Sequence, residues 1–361
     1  MKSNNIRPCV IGLGYVGLPI FFNLSNKFDT CGYDINISRI NELKRKNDVN
    51  LEFQKKEFKF KKNSFFTNKE KNLKNSNFYI ITVPTPIKSN KKPDLKYISQ
   101  AVNLIRKYLK KNDIVILEST VFPGITEKFC GNILKKNKSK LKMNVDFFLG
   151  YSPERINPGD KSHTQKKINK VVSYSNKRTF KIINRIYQNL GKKLYFTKKI
   201  KEAETAKVIE NIQRDVNIAL MNELYIFCKK TKLDFSEVIR LASTKWNFLK
   251  FKPGLVGGHC LPVDPYYFSE AAKQVNQKIR VTLSGRDTNN SMIDFVTSEI
   301  AKDIRKEKIK KILIAGLTYK ANVPDFRNSL ALKIYKKLSV KFKNIFAHDP
   351  YIKDKYNKYL K

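Results

Sequence analysis

No apolar run in the 361 residues approaches the ~20 needed to cross a bilayer. The opening Met1-Lys2-Ser3-Asn4-Asn5 has neither the apolar block nor the small-residue cleavage site of a signal peptide. Both absences point to a cytoplasmic protein with no membrane insertion. Cysteine is scarce and scattered: Cys9, Cys31, Cys130, Cys228 and Cys260 are odd in number and show no CxxC spacing. That pattern argues against a disulfide framework and against a zinc site, so no metal is expected. Acid is in short supply too, with 31 Asp+Glu against 73 Lys+Arg, a net charge of +42. Such a surplus raises the question of nucleic acid. There is, however, no helix-turn-helix, RNA-binding aromatic motif or zinc finger. The lysines are spread along the chain, as in Lys55-Lys56 and Lys135-Lys136, rather than gathered in a tail. This reads as a Lys-biased surface and not as a nucleic-acid partner. No internal repeat occurs at solenoid spacing.

What is present is a globular composition, with 41% hydrophobic and 29% charged residues, in a length that suits two or three domains. The first half alternates apolar strands, at 7–11, 30–33, 78–83, 114–118 and 145–150, with helical stretches such as 16–26 and 97–109. Alternation of this kind predicts a parallel sheet covered by helices on both faces. A strand at 170–173 and a helix at 177–190 extend it, and the Lys/Asn-rich stretch 48–75 reads as a surface excursion. A helical pattern without Pro or Gly then runs from 202 to 230, long for a globular helix. It is followed by a short helix at 235–242, a Gly-rich loop at 252–265 and a helix at 291–306. A second α/β unit starts at 311, with strands at 312–315 and 344–347 around a helix at 330–338. The expected domains are 1–198, 199–307 and 308–361.

The first motif is CVIGLGYVG at 9–17, which sets G-x-G-x-x-G after a strand and at the head of a helix. Gly12 permits the tight turn, Gly14 lets the backbone approach a pyrophosphate, and Gly17 allows close packing of helix on strand. Tyr15 and Val16 lie in the turn whose amides face the phosphates. Asp34 ends the next strand, where a carboxylate accepts hydrogen bonds from ribose hydroxyls and repels a 2′-phosphate, favouring NAD over NADP. Arg39 nearby can stack on adenine or meet a phosphate. Two further strand ends carry loops suited to a ligand at the carboxyl edge of the sheet: TVPTP at 82–86, with Val83 and Thr85, and ESTVFPG at 118–124, with Ser119 and Thr120. Turn chemistry alone explains these two loops equally well.

The second motif is GGHCLPVDPYY at 257–267. Two glycines ahead of a thiol let a substrate approach both backbone and sulfur, and Asp264 lies one turn beyond Cys260 if a helix begins there. A thiol can add to an aldehyde, and hydride loss from the thiohemiacetal gives a thioester that water releases as an acid. His259, adjacent in sequence, should point away from Cys260, which argues against a cysteine protease. A buried thiol in a Gly-rich turn is the competing reading.

Together these motifs resemble the UDP-glucose/GDP-mannose dehydrogenase family. The resemblance runs from 6 to 350 and takes in YSPERINPG at 151–159, AKVIEN at 206–211 and GLTYK at 316–320. The wording SPERINPG, TKWNF at 244–248 and GLVGGHC at 254–260 resembles most the 6-dehydrogenases of UDP-N-acetylglucosamine and UDP-N-acetylgalactosamine that serve capsule and O-antigen synthesis. The family implies an α/β fold: an N-terminal Rossmann-like doubly wound parallel sheet, a central helical domain with a long helix, and a C-terminal α/β domain. Members usually continue past Asp349-Pro350 to complete that last, UDP-binding domain. The ending at Lys361 is therefore expected to leave it truncated and to weaken the grip on the nucleotide.

The resemblance also implies NAD-dependent oxidation of a UDP-sugar's C6 alcohol to the uronic acid, consuming two NAD, with Cys260 as nucleophile. It gives Lys207 the oxyanion, with Asn211 donating to the same oxygen, and Glu154 a part in thioester hydrolysis. Asp264 positions water and the active-site lysine, and Thr120 lies near the nicotinamide. Arg327 matches a cofactor contact. Arg155, Phe251, Gly254, Gly257, Tyr319 and Lys320 match positions around the substrate. The long helix implies a homodimer. A plain UDP-glucose 6-dehydrogenase and an inactive truncated paralogue are the alternatives.

Overall fold

A computed structural model describes residues 6–137, 139–156, 160, 162–258 and 260–351. The chain forms two compact units, 1–208 and 209–361.

The first unit is built on β1 (Pro8–Ile11), β2 (Cys31–Tyr33), β3 (Phe65–Thr67), β4 (Phe78–Ile81), β5 (Ile114–Leu117) and β6 (Phe148–Tyr151). They pair in the order β3-β2-β1-β4-β5-β6, and every pairing is parallel. PCVI, FYII and IVIL carry no alternation, because these strands are buried on both faces. The connecting helices include α1 (Gly17–Ser25), α2 (Ile37–Lys44), α3 (Lys96–Tyr108) and α4 (Gly131–Lys135), with a π-helical turn over Ile125–Cys130. This strand order places a reversal between β1 and β4, where doubly wound sheets open a crevice at the carboxyl ends of the strands. A separate parallel pair, β7 (Lys170–Ser173) and β8 (Leu194–Thr197), flanks α5 (Phe180–Tyr187).

The stretch 48–75 differs from its sequence reading. It buries Phe58 and Phe66 against Phe21 and Phe22 of α1, with the Phe21 and Phe66 ring centroids 4.4 Å apart, and supplies β3 as a sixth strand. The aromatics anchor what the lysines and asparagines make look like a loop.

A single helix, α6 (Ile200–Thr231), spans the boundary between the units. The second unit continues with α7 (Phe235–Ala242), α8 (Asp264–Lys273) and α9 (Arg280–Lys306). It ends in a parallel pair, β9 (Ile312–Ala315) and β10 (Ile345–His348), joined through α10 (Leu330–Lys341). Ala301, Leu317, Ile334, Tyr335, Leu338, Ile345 and Ala347 form its core. The fold class is thus α/β, with a Rossmann-like doubly wound sheet as expected. Helix α9 begins earlier than its sequence pattern suggests. Gly285 hides the periodicity, yet it sits where a side chain would lie 3.4 Å from Val216 and 3.5 Å from Ala219 of α6, so it serves close helix packing.

Candidate active site

In the first unit the glycine motif leaves β1 with Gly12 at φ +95°, a conformation that side chains rarely adopt. The Thr82 hydroxyl bonds the Gly12 carbonyl at 2.7 Å and the Ile11 carbonyl at 3.0 Å, pinning this turn to the end of β4. A Cβ at Gly17 would fall 1.8 Å from the Gly12 oxygen, so that position admits only glycine. A Cβ at Gly14 would meet nothing within 4 Å, which leaves an opening beside the first turn of α1. Val16 at that helix start gives no side-chain cap, and Tyr15 and Val16 are only partly buried. A helix start of this kind turns its backbone amides towards an anion. Asp34 is fixed by the amides of Leu13 (2.8 Å) and Asn36 (2.9 Å). A carboxylate has about four acceptor sites, so capacity for ribose hydroxyls remains. These features fit a bound dinucleotide.

Arg39 is placed differently from its sequence reading. Its guanidinium is buried, pairs with Asp48 at 2.8 Å and donates from Nε to the Leu13 carbonyl at 2.9 Å. A buried guanidinium needs such partners, and here they make Arg39 a brace behind the glycine turn.

The loops after β4 and β5 are tied together, with Ser119 Oγ donating to the Val83 carbonyl at 2.6 Å. Val83, Thr85 and Thr120 are half-buried beside that tie. The far end of the second loop is held by Glu204 of α6. Its carboxylate accepts from the Gly124 amide, the Thr126 amide (2.9 Å) and the Thr126 hydroxyl (2.6 Å). Lys207, buried, follows one turn later on the same helix.

Beyond β6, Glu154 is the rim of a buried ionic cluster. Lys170 Nζ donates to Glu154 at 3.0 Å and to Glu118 at 2.7 Å, and the Tyr187 hydroxyl donates to Glu118 at 2.7 Å. Lys170 and Glu118 side chains are wholly buried. Burial pushes Glu118 up to about 7 against the pull of Lys170. Burial acts on Glu154 in the same direction. There the Lys170 ammonium, the Gln165 amide and the Arg155 amide outweigh it and hold the carboxyl below the usual range. Arg155 is partly buried, with Nη1 at 3.4 Å from the Asn169 carbonyl. Residues 157–159 of this motif lie outside the described residues.

In the second unit, Cys260 is the one exposed thiol of the five cysteines. Its carbonyl accepts the amides of Val263 (3.0 Å) and Asp264 (2.9 Å), closing a turn that runs into α8. A helical turn does start here, inside the stretch that reads as a loop in the sequence, with Pro265 in its first turn, where a missing N–H costs nothing. Asp264 is buried and accepts a 2.6 Å hydrogen bond from the Asn211 amide. Gly258, at φ +90°, lies against the Tyr319 ring, and a Cβ at Gly257 would sit 3.1 Å from the Asn328 carbonyl. The preceding loop is clamped at Gly254: Asn222 accepts its amide at 2.8 Å and donates to its carbonyl at 3.0 Å. Phe251 and Lys320 are half-buried. Arg327 is exposed and folds back on Asp325, with Nη2 at 2.6 Å from Oδ2. His259 lies outside the described residues.

The UDP-glucose/GDP-mannose dehydrogenase family matches almost end to end: its NAD binding domain at residues 6–191, its central domain at 201–291 and its UDP binding domain at 313–361. The chain belongs to this family. Salmonella typhi UDP-N-acetyl-D-glucosamine 6-dehydrogenase is 42% identical over 354 residues, covering 97% of this chain and 83% of the relative. Protein CapL of Staphylococcus aureus is 44% identical over 350 residues, covering 96% and 82%. The solved structure of UDP-D-ManNAc dehydrogenase from Pyrococcus horikoshii superposes with a TM-score of 0.84 at 30% identity, covering 98% of this chain and 86% of that one.

Membership makes the protein an NAD-dependent dehydrogenase of nucleotide sugars. No helix among the described residues is long and apolar enough to cross a membrane. Reading the sequence alone misses Lys170, Glu118, Tyr187, Gln165 and Glu204. Lys170 opens a strand in a chain with 73 basic residues, and nothing local distinguishes it from its exposed neighbours. Glu118 follows directly on the apolar run of β5, and an acid at that place is the one signal that was available.

Proposed function

We propose that this chain oxidises the C6 alcohol of a UDP-N-acetylhexosamine to the uronic acid, with Cys260 as covalent nucleophile, in the supply of surface-polysaccharide precursors. The observation that carries this reading is the contrast among the thiols. Four are buried, and the exposed one stands in the Gly257-Gly258 turn beside the Asp264–Asn211 pair. NAD, when bound, would supply the hydride acceptor for each of the two oxidations. The protein's own groups do the rest. The Gly12–Gly17 turn and Asp34 hold the dinucleotide. Lys207 and Asn211 stabilise negative charge on the reacting oxygen. Cys260 Sγ adds to the aldehyde carbon, and the thiohemiacetal so formed becomes a thioester when its hydride leaves. Water, oriented by Glu154, then forms the new C–O bond. The C–S bond breaks, its electron pair returns to Sγ, and the water's protons pass to the thiolate and to solvent.

The sugar is inferred from the relatives named for N-acetylhexosamines, at 42–43% identity for the glucosamine enzymes and 33–34% for two of the mannosamine ones. A homodimer through α6 is supported by Ile209, Leu220 and Phe227. All three are exposed and recur at near-whole-turn spacings on one stripe of the helix. The test is NADH formation with NAD and, in turn, UDP-GlcNAc, UDP-GalNAc, UDP-ManNAc, UDP-glucose and GDP-mannose. The reading expects an N-acetylhexosamine substrate to give the highest kcat/KM. Faster oxidation of UDP-glucose, or no NADH from any sugar, would sink it.

A further inference from the structure

The loop that carries Cys260 is held to α6 on both sides of the thiol. After it, Asn211 donates to Asp264 at 2.6 Å. Before it, Asn222 takes both backbone groups of Gly254: Oδ1 accepts the amide at 2.8 Å, and Nδ2 donates to the carbonyl at 3.0 Å. All of these residues belong to the second unit. The two anchors stand 11 residues apart on one helix (222 − 211), about 16 Å at ~1.5 Å per residue. Asn222 does not choose its own orientation. Its other Nδ2 hydrogen goes to Asn289 Oδ1 at 2.7 Å. Asn289 in turn donates from Nδ2 to the Asp215 carbonyl and to Asp215 Oδ1, both at 2.8 Å. Arg286 Nη1 reaches the same Oδ1 at 2.6 Å. A main-chain carbonyl can only accept, so Asn289 has to turn its NH2 to Asp215 and its oxygen to Asn222. Asn222 then has to turn its NH2 to Asn289, which leaves one N–H and the oxygen for Gly254. Asp215, Asn222 and Asn289 are wholly buried and Arg286 nearly so. Away from water, a flipped amide would set like against like with no solvent to relieve it.

We propose that Asn222 is the positioning residue of the Cys260 loop, its amide direction set through Asn289 by Asp215, so that the backbone from Gly254 to Gly258 presents the sugar to the thiol. The inference rests on the function proposed above, in which the sugar's C6 carbon has to reach Cys260 Sγ. A network that served only to join α6 to α9 would need Asp215, Arg286 and Asn289. Asn222 carries it one step further, onto a loop. Two bonds to one residue restrain both its translation and its rotation, which a single bond does not. A Cβ at Gly254 would meet nothing within 4 Å, so the clamped residue keeps an open side. Reacting atoms have to come within about 3–3.5 Å, and a displacement of about 1 Å costs on the order of a hundredfold in rate. Asn222 acts on the reaction only through the backbone it holds.

Wild type, Asn222→Leu and Asn222→Asp are compared with NAD and whichever sugar of the panel above wild type oxidises fastest. Initial rates give kcat/KM for the sugar, and calorimetry gives the NAD affinity. Amide hydrogen exchange, read by peptide mass, follows residues 248–258, and thermal melting reports folding. Leu keeps the size of Asn but neither donates nor accepts. It is expected to lower kcat/KM for the sugar by on the order of a hundredfold and to speed exchange of the Gly254 amide, with NAD affinity as in wild type. Asp keeps an acceptor for that amide and loses the NH2, so its kcat/KM falls between the two. If Asn222→Leu does not fold, Asn222→Asp decides. A lowered melting temperature with kcat/KM and exchange as in wild type marks a merely structural residue and overturns the inference. A loss of NAD affinity in parallel with kcat/KM overturns it too, and in both cases the function stands. A wild type that makes no NADH from any sugar sinks the function and this inference with it.

Discussion

Replacing Glu118 by Gln isolates the energetic consequence of the buried cluster. In the folded protein burial raises the Glu118 carboxyl from 4.5 to about 7. A tenfold change in proton affinity is worth about 1.4 kcal/mol, so this rise amounts to roughly 3 kcal/mol. The sign follows from proton counting. Between pH 4.5 and about 7 the native state keeps a proton that the unfolded chain has released, so stability falls as pH rises through that window and is level above it. Gln cannot titrate. Asp113, also pushed up to about 7 by burial, titrates in both proteins and cancels from the difference. The assay is urea unfolding of wild type and Glu118→Gln at pH 5 and pH 8. Trp246 is 92% exposed and belongs to the second unit, so far-UV circular dichroism is the proper probe. Wild type should lose about 2.5 kcal/mol more than the variant between the two pH values. A difference near zero, or of opposite sign, would show that Glu118 is already ionised at pH 5 and that burial does not hold its proton.

The glycine turn makes a paired prediction. Gly17→Ala puts a Cβ 1.8 Å from the Gly12 oxygen and should destabilise the first unit by on the order of 3 kcal/mol or more, read by thermal melting. Gly14→Ala meets nothing within 4 Å, so it should melt like wild type yet bind NAD weakly by calorimetry. Brief alkylation with iodoacetamide should label Cys260 alone, seen by peptide mass, because the other four thiols are buried and burial pushes Cys9 and Cys130 further up. Leu220→Glu should convert a dimer to a monomer by light scattering, since Leu220 is 57% exposed on the apolar stripe of α6.

The parts of this protein legible in its sequence are those where one local pattern carries the whole signal. Strands β1, β4 and β5 are short apolar runs between helices, and Gly12, Gly14, Gly17 and Asp34 sit in a fixed register with them. Cys260 is marked by its two glycines and by Asp264. What stayed hidden depends on partners distant in sequence. Strand β3 has three residues and acquires its meaning only by pairing with β2 and packing Phe66 on Phe21. Helix α8 begins just after the Cys260 turn, where the sequence shows glycine and proline rather than periodicity. Arg39 follows Asp34 in a segment that reads as a nucleotide contact, yet Asp48 claims it. Lys170 and Glu118 are 52 residues apart and meet only when β7 comes alongside β6. A buried charge network of this sort has no period and no spacing to read.

Product stoichiometry in wild type and Cys260→Ser decides whether Cys260 carries a four-electron oxidation. Purified protein is incubated with NAD and limiting UDP-GlcNAc, and NADH and uronic acid are both quantified. The expected result is two NADH per uronic acid for wild type and no acid for Cys260→Ser. Full four-electron turnover by Cys260→Ser would rule out Cys260 as the nucleophile.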